Sequence, residues 1–153
     1  MTTPALSLRP YGSDDEVAAV DLWQRTWQLA YPVLDFSTRV DWWRERWRDE
    51  LVGHAAITIA ERSGAMVGFV TVDPRTGYLD QIVVAPEEWG TEVGRRLVAE
   101  ARRLSPAGLD LHVNTDNARA IRFYEKHGFI VSGQDVNPRS GAPVHRMSWR
   151  PTG

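Results

Sequence analysis

Residues 78–97, YLDQIVVAPEEWGTEVGRRL, constrain this chain more than any other stretch. They read as a strand, a tight loop and a helix. Ile82, Val83 and Val84 are β-branched and suit a buried strand. Pro86 has no N–H to give to a ladder and ends that strand. The spacing predicts a helix from near Gly90 that buries Val93, Leu97, Val98, Ala101 and Leu104 along one face. The first turn of such a helix carries unpaired backbone N–H groups and the positive end of the macrodipole. This is either a seat for an anion or an ordinary strand–helix corner.

The rest of the chain supplies the partners that this unit needs. Residues 5–9 read as a first strand, ended by Pro10. Ser13 and Glu16 have the form of a capping box. The helix they open runs to about Tyr31, with Val17, Val20, Trp23, Trp27 and Tyr31 on one face. A second helix is predicted from Ser37 or Thr38 to about Glu50. Val40, Trp43, Trp47 and Leu51 form its apolar face. Arg44, Glu45, Arg46, Arg48, Asp49 and Glu50 read as a mostly solvated face. Strands at 54–61 and 65–72 flank the turn Arg62-Ser63-Gly64. After the central helix, Leu109, Leu111 and Val113 alternate as a strand should. Asp116 or Asn117 caps a short helix that Gly128 ends. Segments 129–134 and 144–149 form a closing pair. Four antiparallel strands, interrupted by two helices after the first, then lead to a crossover helix and a parallel partner strand. If the two parallel strands splay, backbone amides line a slot with a helix N-terminus at its mouth. Such a slot suits an extended ligand carrying phosphates.

Composition removes several classes. A net charge of −2 gives no broad claim on nucleic acid or anionic lipid. The absence of cysteine excludes disulfides, thiolate metal sites and a cysteine nucleophile. No apolar run approaches the roughly 20 residues that span a bilayer, and the first residues do not read as a signal peptide. The expectation is one cytoplasmic domain over residues 1–153, with no nucleic acid and no membrane. His54, His112, His127 and His145 lack metal-binding spacing, so no metal is expected. There is no Gly-x-Ser-x-Gly elbow. Gly90 and Gly94 lack the lysine of a phosphate-binding NTPase loop.

Residues 113–129, VNTDNARAIRFYEKHGF, resemble the signature of the GNAT superfamily of acetyl-CoA-dependent N-acetyltransferases. The elements are Asn117, Ala120-Ile121, Phe123-Tyr124-Glu125-Lys126 and Gly128-Phe129. LDQIVVAP at 79–86 resembles the family's central strand and following turn. Trp89-Gly90-Thr91-Glu92-Val93-Gly94 lies where the family has its pyrophosphate loop. The order of elements matches over nearly the whole chain; the segments before Leu51 match in outline. The loop departs from the family's pattern at two places. Trp89 stands at a position usually Gln or Arg, and Glu92 at the central glycine. A carboxylate about 5 Å from a phosphate costs roughly 1 kcal/mol in water-like surroundings and about 3 at an effective dielectric of 20. An outward-pointing Glu92, near Arg95 or Arg96, would cost much less.

The resemblance implies an α/β (α+β) fold: a mixed, mostly antiparallel sheet of about seven strands with about four helices and splayed central parallel strands. It implies acetyl transfer from acetyl-CoA to a primary amine of a small molecule or peptide. A homodimer is one arrangement open to such a domain. The cofactor would lie along Ile82, Val83 and Val84, the loop Trp89, Gly90, Thr91, Glu92, Val93, Gly94 and Arg95, and Asn117. Tyr124 would protonate the leaving thiolate, as a phenol neutral at pH 7 can. Its alternative is a helix tyrosine packed on the sheet. Asp80 would serve as base or substrate anchor, with a plain surface role as its alternative. Trp23 and Trp27 would wall the acceptor site through cation–π contact, although core packing accounts for tryptophans at i,i+4. Two rival readings stay open: a non-catalytic acyl-CoA-binding module, favoured by Glu92, and an acyltransferase with a larger donor.

Overall fold

A computed structural model describes residues 4–152. Its strands are β1 (Leu6–Pro10), β2 (Ala56–Arg62), β3 (Ala65–Asp73), β4 (Tyr78–Val84), β5 (Leu109–Asn114), β6 (Ile130–Val136) and β7 (Pro143–Trp149). Its α-helices are α1 (Glu16–Ala30), α2 (Val40–Arg46), α3 (Glu92–Leu104) and α4 (Ala118–Lys126). The seven strands form one sheet in the order β1-β2-β3-β4-β5-β7-β6. Every neighbouring pair is antiparallel except β4 and β5. The expected mixed α/β architecture is therefore present, including the meander broken by two helices after β1.

Both faces of the sheet are covered at its centre. β3 is buried without interruption from Val67 to Val72, the pattern of a strand with layers on both sides rather than one. A side chain at Gly68 would run into Val93 and Leu97 of α3. The next residue, Phe69, points the other way and meets Trp47, with ring centroids 5.2 Å apart. Val93, Leu97, Val98 and Ala101 fill the α3 side, as their spacing predicts. The opposite layer is aromatic. Trp23 stacks on Trp43 at 4.4 Å, and Trp43 and Trp47 are fully enclosed. Of the five tryptophans crowded into the first third of the chain, Trp23, Trp27, Trp43 and Trp47 thus build the layer that α1 and α2 lay over the sheet, while Trp42 stays exposed.

Several local expectations are corrected. Ser13 and Glu16 do not form a capping box. A 3-10 turn at Ser13–Asp15 precedes α1, and the Asp15 carboxylate accepts the Gly12 N–H at 2.8 Å. Val17 is exposed because α1 turns Ala19, Val20, Leu22 and Trp23 inward instead. The second helical segment is capped earlier, by Asp35, which accepts the Ser37 N–H at 3.0 Å. It passes through a 3-10 turn, Phe36–Arg39, then α2, then a π-helical turn, Trp47–Leu51. The added residue in that turn re-aims the helix end. The central helix starts at Glu92 rather than near Gly90, since Thr91 is its cap. Arg46, expected on a solvated face, is largely buried in an ion pair.

Candidate active site

The site is built on a gap in the sheet. β4 and β5 pair only through Tyr78 and Asp110, with Asp110 N–H donating to Gly77 O at 3.0 Å. Beyond that point β4 keeps pairing with β3, and β5 keeps pairing with β7. The facing edges of β4 and β5 are left without a ladder between them. Unpaired backbone groups are costly unless water or a ligand takes them. An irregularity in the β3–β4 register contributes to the opening: Thr71 faces Gln81 while Val72 faces Leu79, so Asp80 is the extra residue of a bulge. The gap opens into one large cleft of about 1970 Å³, lined among others by Asp80, Ile82, Val83, Val84, Asn117 and Tyr124.

Asn117 caps α4, accepting the Ala120 N–H at 3.2 Å, and Gly128, at φ 87°, ends that helix. This fixes the turn of helix that carries Tyr124 to the gap. The phenol sits in edge contact with Phe123 and Phe129. Desolvation holds its pKa well above the ordinary tyrosine value, and the neighbouring Tyr78 adds to the rise. A raised value keeps the hydroxyl protonated, the form a general acid needs.

At the other side of the cleft is the loop before α3. The Thr91 hydroxyl takes the Val93 N–H at 3.4 Å, while the first-turn amides of Glu92 and Gly94 have no acceptor within the helix. A methyl on Gly94 would sit 2.7 Å from the Phe123 ring, so glycine here is what lets α3 and α4 close together beside the gap. The side chain of Glu92 leans towards Arg62, at 3.5 Å, and not towards Arg95 or Arg96. Arg62 is shared with Glu88 at 3.1 Å. Trp89 folds back, donating its indole N–H to Val84 O at 2.9 Å. The Arg119 guanidinium lies 3.4 Å over its ring. Arg119 is held below the usual arginine range by burial and by Arg122. Arg95, Arg119 and Arg122 all border the cleft, so positive charge outweighs the paired acids at this mouth. Glu92 also has a structural role, since an acid in the first turn of a helix is favourable.

The remaining wall of the cleft holds Asp80, Trp23 and Trp27, the residues expected on an acceptor side. Asp80 receives Arg46 at 2.6 Å and the Gln81 amide at 3.1 Å. Arg46 also reaches Glu50, at 2.8 Å. Trp27 is half-buried and lines the cleft with its neighbour Trp23, which is almost wholly core. Arginines already lie over the nearby rings: Arg39 on Phe36, Arg46 on Trp43 and Arg139 on Trp42. Trp27 is stacked on Tyr31. The sequence singled out neither Arg46, which read as part of a solvated helix face, nor Arg119, which falls inside the 113–129 segment without a signal of its own. It also passed over a chain of side chains across the closed end of the gap. Tyr78 Oη lies 2.8 Å from His112 Nδ1, and His112 Nε2 lies 2.8 Å from Asp135 Oδ2.

A seven-stranded sheet of this order, opened between its two parallel strands beside a helix N-terminus, defines an acyltransferase fold. The chain belongs to the acetyltransferase (GNAT) family, whose family model matches residues 17–129. It is similar to peptidyl-lysine N-acetyltransferase YjaB of Salmonella typhimurium, with 26% identity over 90% of this chain and 92% of that protein. It resembles mycothiol acetyltransferase of Thermobispora bispora at 36% identity, over 61% of this chain but only 35% of that longer protein. In solved structures the fold recurs in apo YjaB from Escherichia coli, with TM-score 0.79, 24% identity and coverage of 95% and 97%. It recurs too in the PaiA N-acetyltransferase of Thermoplasma acidophilum in complex with coenzyme A, with TM-score 0.76, 17% identity and coverage of 96% and 99%. Among the described residues no helix is long and apolar enough to cross a membrane.

Proposed function

We propose that residues 1–153 form a single N-acetyltransferase domain that moves acetyl from acetyl-CoA directly to a primary amine of a small molecule or peptide. The observation that carries this reading is the single paired position between β4 and β5, with Tyr124 beside the gap it leaves. The residues fit such a donor. The free edge of β4 at Ile82 and Val84 offers main-chain groups to a pantetheine arm, the Val84 C=O being already taken by the Trp89 indole. The open amides of Glu92 and Gly94, with Arg95, Arg119 and Arg122, suit its phosphates. Asn117 stands at the turn between β5 and α4, where the arm would pass.

The donor supplies an activated acyl group as a thioester. The chain's own groups do the rest. Main-chain amides of β4 stabilise negative charge growing on the thioester oxygen. The amine nitrogen bonds to the acyl carbon and its surplus proton leaves to solvent, the carbon–sulfur bond breaks, and Tyr124 gives its proton to sulfur. Asp80, already bound to Arg46 and Gln81, suits anchoring better than accepting a proton. Trp23 and Trp27 shape the acceptor wall by packing, since Trp23 is stacked on Trp43. The relatives named as peptidyl-lysine and mycothiol acetyltransferases support an amine or peptide acceptor.

Free-thiol release from acetyl-CoA tests this reading. The amines are an N-terminally blocked lysine peptide, spermidine, a free amino acid and an aminoglycoside. Turnover with at least one is expected; acetyl-CoA binding without release from any would leave only a binding module. The loop gives a second expected outcome. Glu92→Gln removes a carboxylate from the phosphate side and should tighten acetyl-CoA by about fivefold, from roughly 1 kcal/mol of repulsion. Titration calorimetry reads this directly. An unchanged constant would mean that Arg62 already draws the carboxylate out of the field of the bound phosphates.

A further inference from the structure

We propose that Tyr78, His112 and Asp135 form a proton relay that takes the proton released by the acceptor amine and passes it to solvent. The inference rests on the acetyl-transfer reading above.

Three strands contribute one residue each. Tyr78 begins β4 and is half of the single position where β4 and β5 still pair. His112 is two residues further along β5 from Asp110 and points to the opposite face from buried Leu111 and Val113. Asp135 comes from β6. The contacts are 2.8 Å from Tyr78 Oη to His112 Nδ1 and 2.8 Å from His112 Nε2 to Asp135 Oδ2. A carboxylate can only accept, so Nε2 carries the hydrogen towards Asp135. In the neutral ring Nδ1 is then the acceptor, and Tyr78 donates to it. The chain runs from inside to outside. All three residues line the cleft, Tyr78 is the most enclosed, and the side chains of His112 and Asp135 keep 34% and 48% of their exposure.

The polarity suits uptake of a proton. Burial and the Asp80 carboxylate push the Tyr78 phenol up to about 12, so it enters the cycle protonated and cannot act as an isolated base near neutrality. It can exchange protons in place. As the amine nitrogen bonds to the acyl carbon, its proton moves to Tyr78 Oη while the Tyr78 proton moves to His112 Nδ1. The Asp135 carboxylate stabilises the imidazolium, which then loses its proton to water. The thiolate separately receives the Tyr124 proton, and Tyr124 regains one from solvent after the thiol leaves, so charge balances over the cycle. Asp80 on the same strand is tied to Arg46 and leaves this task to its neighbour. The other charged groups about His112 are engaged too. Arg146, its opposite on β7, bonds Ser132, and Asp110 bonds Arg150.

The test uses acetyl-CoA with the fastest amine of the panel above. His112→Gln should lower kcat about tenfold near pH 7.5 and abolish the fall of kcat on the acid side, with acetyl-CoA affinity unchanged. Asp135→Asn should move the acid limb without removing it, and added imidazole should restore part of the rate in His112→Ala. Independently of turnover, nitrogen NMR of the wild-type protein should show the neutral His112 ring protonated at Nε2. A ring protonated at Nδ1, or a kcat profile unchanged in His112→Gln, overturns the relay while leaving acetyl transfer intact. A wild-type protein that transfers to no amine removes both.

Discussion

Tyr124→Phe should lower kcat for thiol release by about 100-fold or more while acetyl-CoA binding stays within a factor of two. General acid catalysis by a placed side chain contributes about 10² to 10⁴, and in the proposed transfer the departing group is a thiolate leaving into a desolvated gap. Phenylalanine keeps the ring contacts with Phe123 and Phe129, so the variant removes the proton and little else. A rate within threefold of wild type would take Tyr124 out of the chemistry. The pH dependence follows from the same environment. The folded-state value is raised, so the acid form persists above the point where a free phenol ionises, and activity should not fall on account of Tyr124 below about pH 10. Stability carries the matching sign. Tyr11, Tyr31, Tyr78 and Tyr124 are all raised, with desolvation the largest cause of each. Above about pH 10 the unfolded chain sheds protons that the folded chain keeps, so stability is full below that value and is lost as pH rises through the folded values.

Arg46→Ala should destabilise the protein by about 3–5 kcal/mol, the range for removing one partner of a buried ion pair. The side chains of Arg46 and Asp80 retain only 15% and 17% of their exposure. Without the guanidinium, Asp80 keeps only the Gln81 amide inside the β4 bulge. At roughly 2–4 °C per kcal/mol for a chain of this size, the melting temperature should drop by about 10 °C. Adding Asp80→Asn to Arg46→Ala should recover part of that loss, because no bare charge is then left behind. A drop below about 1 kcal/mol in the single variant would show that solvent screens the pair. On the proposed function, acceptor KM should rise in the same variants, since Arg46 and Asp80 both line the cleft. The tryptophan layer beneath behaves differently: it packs α1 and α2 on the sheet and borders the cleft chiefly through the half-buried Trp27.

Local chemistry alone decided much of this molecule. The apolar spacing of α3, the Asn117 cap, the Gly128 terminator and the alternation of Leu109, Leu111 and Val113 are short-range patterns, and each appears where it was expected. The 113–129 segment announced the family, whereas the loop at 89–94 departs from its pattern at Trp89 and Glu92 and kept only its place after the central strand. What the linear pattern could not express was pairing across the fold. Arg46 is solvent-facing by helical periodicity, yet the bulge at Asp80 lies directly beneath it and draws it inward. Glu92 has Arg95 and Arg96 beside it in the sequence, yet its carboxylate leans to Arg62 from β2. Tyr78, His112 and Asp135 are separated by 34 and 23 positions, and no spacing rule joins them. They meet because β4 and β5 stay paired at one end and part at the other, a feature of sheet register that exists only once all the strands are assembled.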